Sequence, residues 1–255
     1  MPSIIGSVVD ALTRSGIDLA SLGLAWARAM PAVTIVPAFG LRALPAPARA
    51  VMGLAFAASI FPALAPVEDG SSQPWVLLAL VEVARGLPVA IAAAVPLWAA
   101  TMAGGVADAL RGSQETPSVP TVEGRATPLG IPMSLLACAI FLSTGGPARV
   151  AMALARHPGA GRQFVTSLTS PVSRVSLAAA TDIVDGIGLA VALGGPLLAA
   201  SVVVEIAAAL IARAASPAQV HALLAPLRAL GALAVMAIVF ERVADVLARA
   251  VRAAP

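Results

Sequence analysis

Long runs of this chain carry no Asp, Glu, Lys or Arg, and such runs dictate the solvent in which it folds. Residues 50–67, 86–107, 126–148 and 186–204 are free of formal charge. Two further segments, 19–41 and 214–240, hold one interior arginine each, Arg28 and Arg228. A helix needs roughly 20 mostly apolar residues to cross the hydrocarbon core of a bilayer, with a range of about 17–25. All six runs meet that length. The composition agrees: 59% of the 255 residues are hydrophobic and 11% charged, where an ordinary soluble domain carries roughly a quarter charged residues. Mean hydropathy is +0.94. The pattern predicts an all-α integral membrane protein with about six hydrophobic helices. They fall near 19–41, 50–67, 75–107, 126–155, 181–212 and 218–248, within a single membrane domain over 1–255.

Polar breaks separate the segments at 40–47, 68–74, 104–130, 156–174 and 213–217. None has the composition of a domain linker, and no repeat of fixed period occurs. A cleaved signal peptide is not expected, because Asp10 and Asp18 stand where a basic region belongs. Prolines interrupt the apolar runs at Pro31, Pro37, Pro62, Pro88, Pro96, Pro132, Pro196 and Pro226. Each removes a backbone donor and tends to kink a helix. Membrane helices tolerate this where neighbouring helices or a water-filled cavity satisfy the freed groups. The abundant Ala and Gly let helix backbones approach closely where no hydrophobic force drives association. The arginines do not set an orientation. An outside N-terminus puts Arg42, Arg49, Arg111, Arg125 and Arg213 inside, but leaves Arg14, Arg156, Arg162, Arg174, Arg242, Arg249 and Arg252 outside. Kinked, small-faced helices with undecided topology suit a subunit built for protein neighbours.

All sixteen basic residues are arginine, yet no basic run with interleaved aromatics marks a nucleic-acid surface. Cys138 is a lone cysteine within an apolar run, so a disulfide framework is excluded. No HExxH, GxSxG or Walker loop is present, and His157 and His221 lack ligands at metal spacing. Neither catalysis nor a metal or cofactor site is expected. The charges inside apolar segments are Arg28, Glu82, Arg85, Asp182, Asp185, Glu205 and Arg228. A charge at a helix centre costs roughly 2.5–3.5 kcal/mol on insertion scales, so unpaired exposure to lipid is not expected. Glu82 and Arg85 stand three apart with the acid first, which places them on one helix face as an ion pair or a transport site. Asp182 and Asp185 share a face after a polar stretch and read as the start of a helix, with a cation site as the alternative.

The break at 104–130 is the longest, and it is charged and proline-bearing. With its flanks, "AVPLWAATMAGGVADALRGSQETPSVPTVEGRATPLG" followed by "FLSTGG" at 141–146 resembles the FliR/SctT family of type III secretion export-gate proteins. The matching residues are Pro96, Trp98, Ala99, Asp108, Arg111, Gly112, Pro120, Glu123, Gly124, Thr127, Pro128, Leu129 and Gly130. "ARAMPAVTIVPAFGLRALPAPAR" is similar to the family's first hairpin, Glu82 falls where its third helix carries Glu, and "VEIAAALIARAA" with "PLR" at 226–228 is similar to its end. The resemblance runs from Ala25 to Val239, and the Pro-Leu-Trp and Asp-x-x-Arg-Gly patterns favour the injectisome branch over the flagellar one. Arg85 and Pro88 depart from it, standing where the family usually has apolar residues, as do Pro217 and Gln219–His221 near the end.

The resemblance implies a non-enzymatic subunit, packed in a helical export-gate assembly with SctR-, SctS- and SctU-like partners in the bacterial inner membrane. Lipid would surround the assembly, and unfolded proteins would be its transient substrates. It further implies that the loop between Asp108 and Thr127 plugs the pore, with Asp108, Arg111, Gly112, Glu115, Pro120, Glu123, Gly124 and Arg125 as its residues. Irregular polar backbone at membrane depth must face water or be buried in protein, in keeping with such a role. Three alternatives remain at this point: a flagellar gate subunit, an ordinary surface loop, and a small-solute transporter using Glu82, Arg85 and Glu205.

Overall fold

A computed structural model describes residues 14, 18–39, 45–64, 74–110, 127–156, 169–214 and 221–254, without side chains at 110, 169–179, 221–229, 232, 233 and 236. Among them are seven α-helices and no strand: α1 (Leu19–Ile35), α2 (Ala46–Ile60), α3 (Trp75–Leu110), α4 (Gly130–Ser143), α5 (Gly146–Arg156), α6 (Thr169–Ala214) and α7 (His221–Ala253). The protein is an all-α integral membrane protein. Three described stretches are long and apolar enough to cross a bilayer, Ala46–Ala63, Trp75–Ala109 and Ala180–Ala214, and α4 with α5 supplies a fourth if the two are counted as one broken span.

Local chemistry sets the helix ends. Asp18 caps α1: its carboxylate accepts from the Ala20 and Ser21 amides, both at 3.0 Å, and from the Ser21 hydroxyl at 2.6 Å. These contacts satisfy amides that have no partner within the helix, and they hold the Asp18 carboxyl below its ordinary value, the Ser21 hydroxyl most of all. At the other end Val36 is extended at ψ 115, the conformation forced on a residue that precedes proline, and Pro37–Phe39 follows as a 3₁₀ turn. Pro47 sits in the first turn of α2, where a missing amide costs nothing.

The chain forms two compact units. The first contains α1, α2, α3 up to Ala94, α5 and α6 up to Ile183. Here α1 packs on α2 through a small residue: a Cβ on Gly53 would lie 2.9 Å from the Trp26 ring nitrogen and 3.0 Å from the Met30 sulfur. That same ring nitrogen donates to the Ala50 carbonyl at 3.2 Å, and Phe39 meets Phe56 edge-on at 5.1 Å. The short α5 lies against both α1 and α2, burying Gly146, Val150 and Leu154 at helical spacing.

The second unit contains α3 from Val95, α4, the rest of α6, and α7. A Cβ on Gly186 of α6 would meet Val95 of α3, and one on Gly194 would meet Ala103. Both partners advance in the same direction, so α3 and α6 run parallel there. Ala107, Leu129 and Leu197 close a small core against which Val235 of α7 packs.

Two expectations are revised. The fourth apolar segment is not one helix. It breaks at Thr144–Gly145, where Gly145 takes φ +74, a left-handed conformation that favours glycine. Asp182 and Asp185 do not start a helix either. The chain is already helical from Thr169, well before them, and Pro171 falls in the first turn of α6, where proline is tolerated.

Candidate functional site

Two buried polar sites stand out, one in each unit. In the first, Arg28 on α1 is 1% exposed and Glu82 on α3 is 3% exposed. The Arg28 Nε donates to Glu82 Oε2 at 2.6 Å, and its Nη2 lies 2.5 Å from the same oxygen. The other carboxylate oxygen, Oε1, accepts from Arg85 Nη1 at 2.9 Å. Glu82 thus has a guanidinium on each oxygen. The Arg28 Nη1 then donates to the Leu154 carbonyl at 3.0 Å, among the last carbonyls of α5, which have no partner within their own helix.

Removing two charges from water costs several kcal/mol per ion, and only close geometry with further hydrogen bonds repays it. The planar, branched guanidinium supplies that geometry, reaching a carboxylate and a carbonyl together, where the point charge of a lysine would not. The approach of the two helices depends on Gly86, one turn beyond Glu82. A Cβ there would sit 2.0 Å from the Arg28 carbonyl oxygen, so only glycine lets α1 come close enough for the pair to form.

The second site joins the end of α3 to the start of α4. Asp108 is 0% exposed, and its Oδ2 accepts from the Leu129 amide at 2.5 Å. The Thr127 hydroxyl accepts from the Gly130 amide at 3.1 Å, and the Thr127 carbonyl accepts from the Ile131 amide at 3.1 Å. Below this, Gly104 and Gly130 touch backbone to backbone, since a Cβ on Gly104 would lie 2.7 Å from the Gly130 Cα and amide nitrogen. Acid, hydroxyl and two glycines thereby clasp residues 108 and 129 together.

The pairing of Glu82 with Arg85 expected from their spacing is present, but the tighter partner is Arg28, 54 residues away in sequence. The signal for it was two opposite charges, each isolated in its own apolar run. Asp108 lies in the last turn of α3, buried. Arg111, Gly112, Glu115, Pro120, Glu123, Gly124 and Arg125 lie outside the described residues. Glu205 is half-buried on α6, in the second unit, and Arg228 falls on α7 at a position without a described side chain.

Comparison with known proteins places these features in a family. The model of bacterial export proteins, family 1, matches residues 19–254. The chain is also 37% identical over 78 residues to the secretion system apparatus protein SsaT of Salmonella typhimurium (strain LT2), a match covering 30% of each chain. The matched stretch is therefore less than a third of that relative's length. With a family match running from the first residue of α1 to just past the end of α7, the chain belongs to the bacterial export proteins of family 1, the FliR/SctT family.

Proposed function

We propose that this protein is a non-enzymatic, multi-pass subunit of a type III protein secretion export apparatus in the bacterial inner membrane. The observation that carries the reading is the family match over residues 19–254. In this reading it assembles with SctR-, SctS- and SctU-like subunits, surrounded by lipid, around a path for unfolded substrate proteins. The partial likeness to an apparatus protein of a secretion system supports the injectisome over the flagellar form. The segment between Asp108 and Thr127 is the plug of that path. Its support is the clasp: with Asp108 bonded to the Leu129 amide, the intervening chain leaves and returns at one point, as a plug projecting from a fixed base must. The transporter alternative is weakened by the other site, because both oxygens of Glu82 are held by guanidinium groups.

Deletion of residues 113–121 tests the plug. The expected result is a complex of normal abundance whose membranes leak ions and small molecules, with secretion reduced or deregulated. Arg111→Ala should leak less. A properly assembled deletion variant with unchanged permeability would return the segment to an ordinary surface loop. Co-purification from native membranes tests the wider reading: SctR- and SctS-like subunits should come with the protein, and a functional transporter isolated alone would refute it.

A further inference from the structure

The start of α4 is capped from another helix. The amide of its first residue, Gly130, donates to the Thr127 hydroxyl at 3.1 Å. Leu129, the residue before it, makes no side-chain cap of its own and donates its amide to the Asp108 carboxylate of α3, 21 residues earlier. An anion among the first amides is the sign that this end of a helix favours. The Leu129 side chain closes a small core with Ala107 of α3 and Leu197 of α6, on which Val235 of α7 packs. One bond thus seats a corner where all four helices of the second unit meet, and the whole corner lies within that unit. Backbone contact sets how closely α3 and α4 stand there. A Cβ on Gly104 would lie 2.7 Å from the Leu129 carbonyl carbon and from the Gly130 backbone. Its neighbour Gly105 differs, since a Cβ there would meet only the Thr127 hydroxyl oxygen at 3.7 Å, an ordinary contact.

We propose that Asp108 is a positioning residue for closure of the export path, acting through the Leu129 amide. The inference rests on the plug reading above and deepens it. Asp108 is 0% exposed, so it does not itself line a water-filled path. Its part is to fix residues 108 and 129 against each other, and with them both ends of the chain between. A buried hydrogen bond to a charged group biases an equilibrium about tenfold or more. Without it the Leu129 amide loses its acceptor, and α3 and α4 are free to part at the corner.

The test uses membranes containing the complete complex, reading small-molecule permeability per assembled complex with abundance measured in parallel. Asp108→Ala should raise permeability about tenfold. Asp108→Asn keeps an acceptor for the Leu129 amide and should stay within about twofold of wild type. Gly104→Ala leaves the carboxylate in place but forces the two backbones apart, and should leak as Asp108→Ala does. Gly105→Ala should remain sealed. A role confined to folding would lower abundance and leave permeability per complex unchanged. Sealed, assembled complexes of Asp108→Ala or Gly104→Ala overturn the proposal, as does failure of both to assemble. An Asp108→Asn complex as leaky as Asp108→Ala overturns it too, because the acceptor would then not be what matters. Deletion of residues 113–121 keeps the two readings apart. A leaky deletion beside a sealed Asp108→Ala leaves the plug standing and removes the clasp, whereas a sealed deletion refutes the plug itself.

Discussion

Glu82 is the residue on which the first cluster balances, because it is one carboxylate serving two arginines. Removing it takes the carboxylate away from Arg28 in the interior, and breaking a buried pair by deleting one partner costs about 3–5 kcal/mol. Glu82→Gln should therefore be the most damaging change in the cluster, Arg28→Met intermediate, and Arg85→Leu the mildest. The half-buried Arg85 can be lost while Arg28 still pairs the carboxylate. Thermal midpoints of the purified complex check the ranking, and an Arg85→Leu variant less stable than Glu82→Gln would contradict it. Asp18 gives a pH-dependent prediction. Its carboxyl is held below the ordinary 3.8 by the Ser21 hydroxyl and the Ala20 amide. The folded value is depressed, so the cap's contribution is complete above pH 3.8 and disappears as pH falls through the lower folded value. Asp18→Ala should cost about 1 kcal/mol at neutral pH. Its deficit relative to wild type should shrink below pH 4, read as the gap between the two melting midpoints in detergent.

At the scale of the helix, close approach is what the glycines provide. Gly86→Ala forces a methyl group to within 2.0 Å of a backbone oxygen on α1, a clash that no side-chain rotation relieves. The helices must separate, and the Arg28–Glu82 bond at 2.6 Å separates with them. The expected result is loss of assembled complex comparable to that of Glu82→Gln, whereas Gly188→Ala, with nothing within 4 Å of its new methyl group, should be neutral. Abundance of the complex on a native gel measures both. How far the elements were readable follows the same physics. Apolar runs are a local signal, and the spans over 75–107 and 181–212 lie within α3 and α6. The i,i+3 pairing of Glu82 with Arg85 is also local and was legible. The partnership of Arg28 with Glu82 is tertiary, set by a helix crossing that no spacing encodes. Asp108 ends an apolar run and so resembles the first residue of a loop, although burial and the Leu129 amide make it the last anchored residue of α3. The start of α6 was misplaced because Ser and Thr favour caps and turns over helix interiors, a weak preference that the long helix overrides.

For the whole molecule, helix length argues that lipid alone cannot be the solvent. Apolar side chains are exposed along α6 at Val184, Ile187, Val191, Val202, Val203, Ile206, Leu210 and Ile211. At ~1.5 Å per residue that face extends about 40 Å, while the hydrocarbon core is about 30 Å thick. Tilting alone would need an angle of about 40°, the extreme of the range seen for membrane helices. The arrangement is more simply satisfied if neighbouring protein covers part of the face, as membership in an export family suggests. On α3, Val76, Leu80, Val83 and Leu87 are likewise exposed, and their alternating spacing of four and three forms a narrow seam of the kind that another helix fills. The protein expressed alone should therefore give low yield and a polydisperse profile in detergent. Co-expression with SctR- and SctS-like subunits should raise the yield several-fold and sharpen the profile to a single species. Introducing a charge into the seam, as in Leu80→Glu, should abolish that gain without lowering the small amount of solitary protein, because only the partnered state requires the seam to be apolar. A solitary protein that is abundant, monodisperse and long-lived would show that α6 and the α3 seam are content in lipid and detergent, and the need for partners would fall with it.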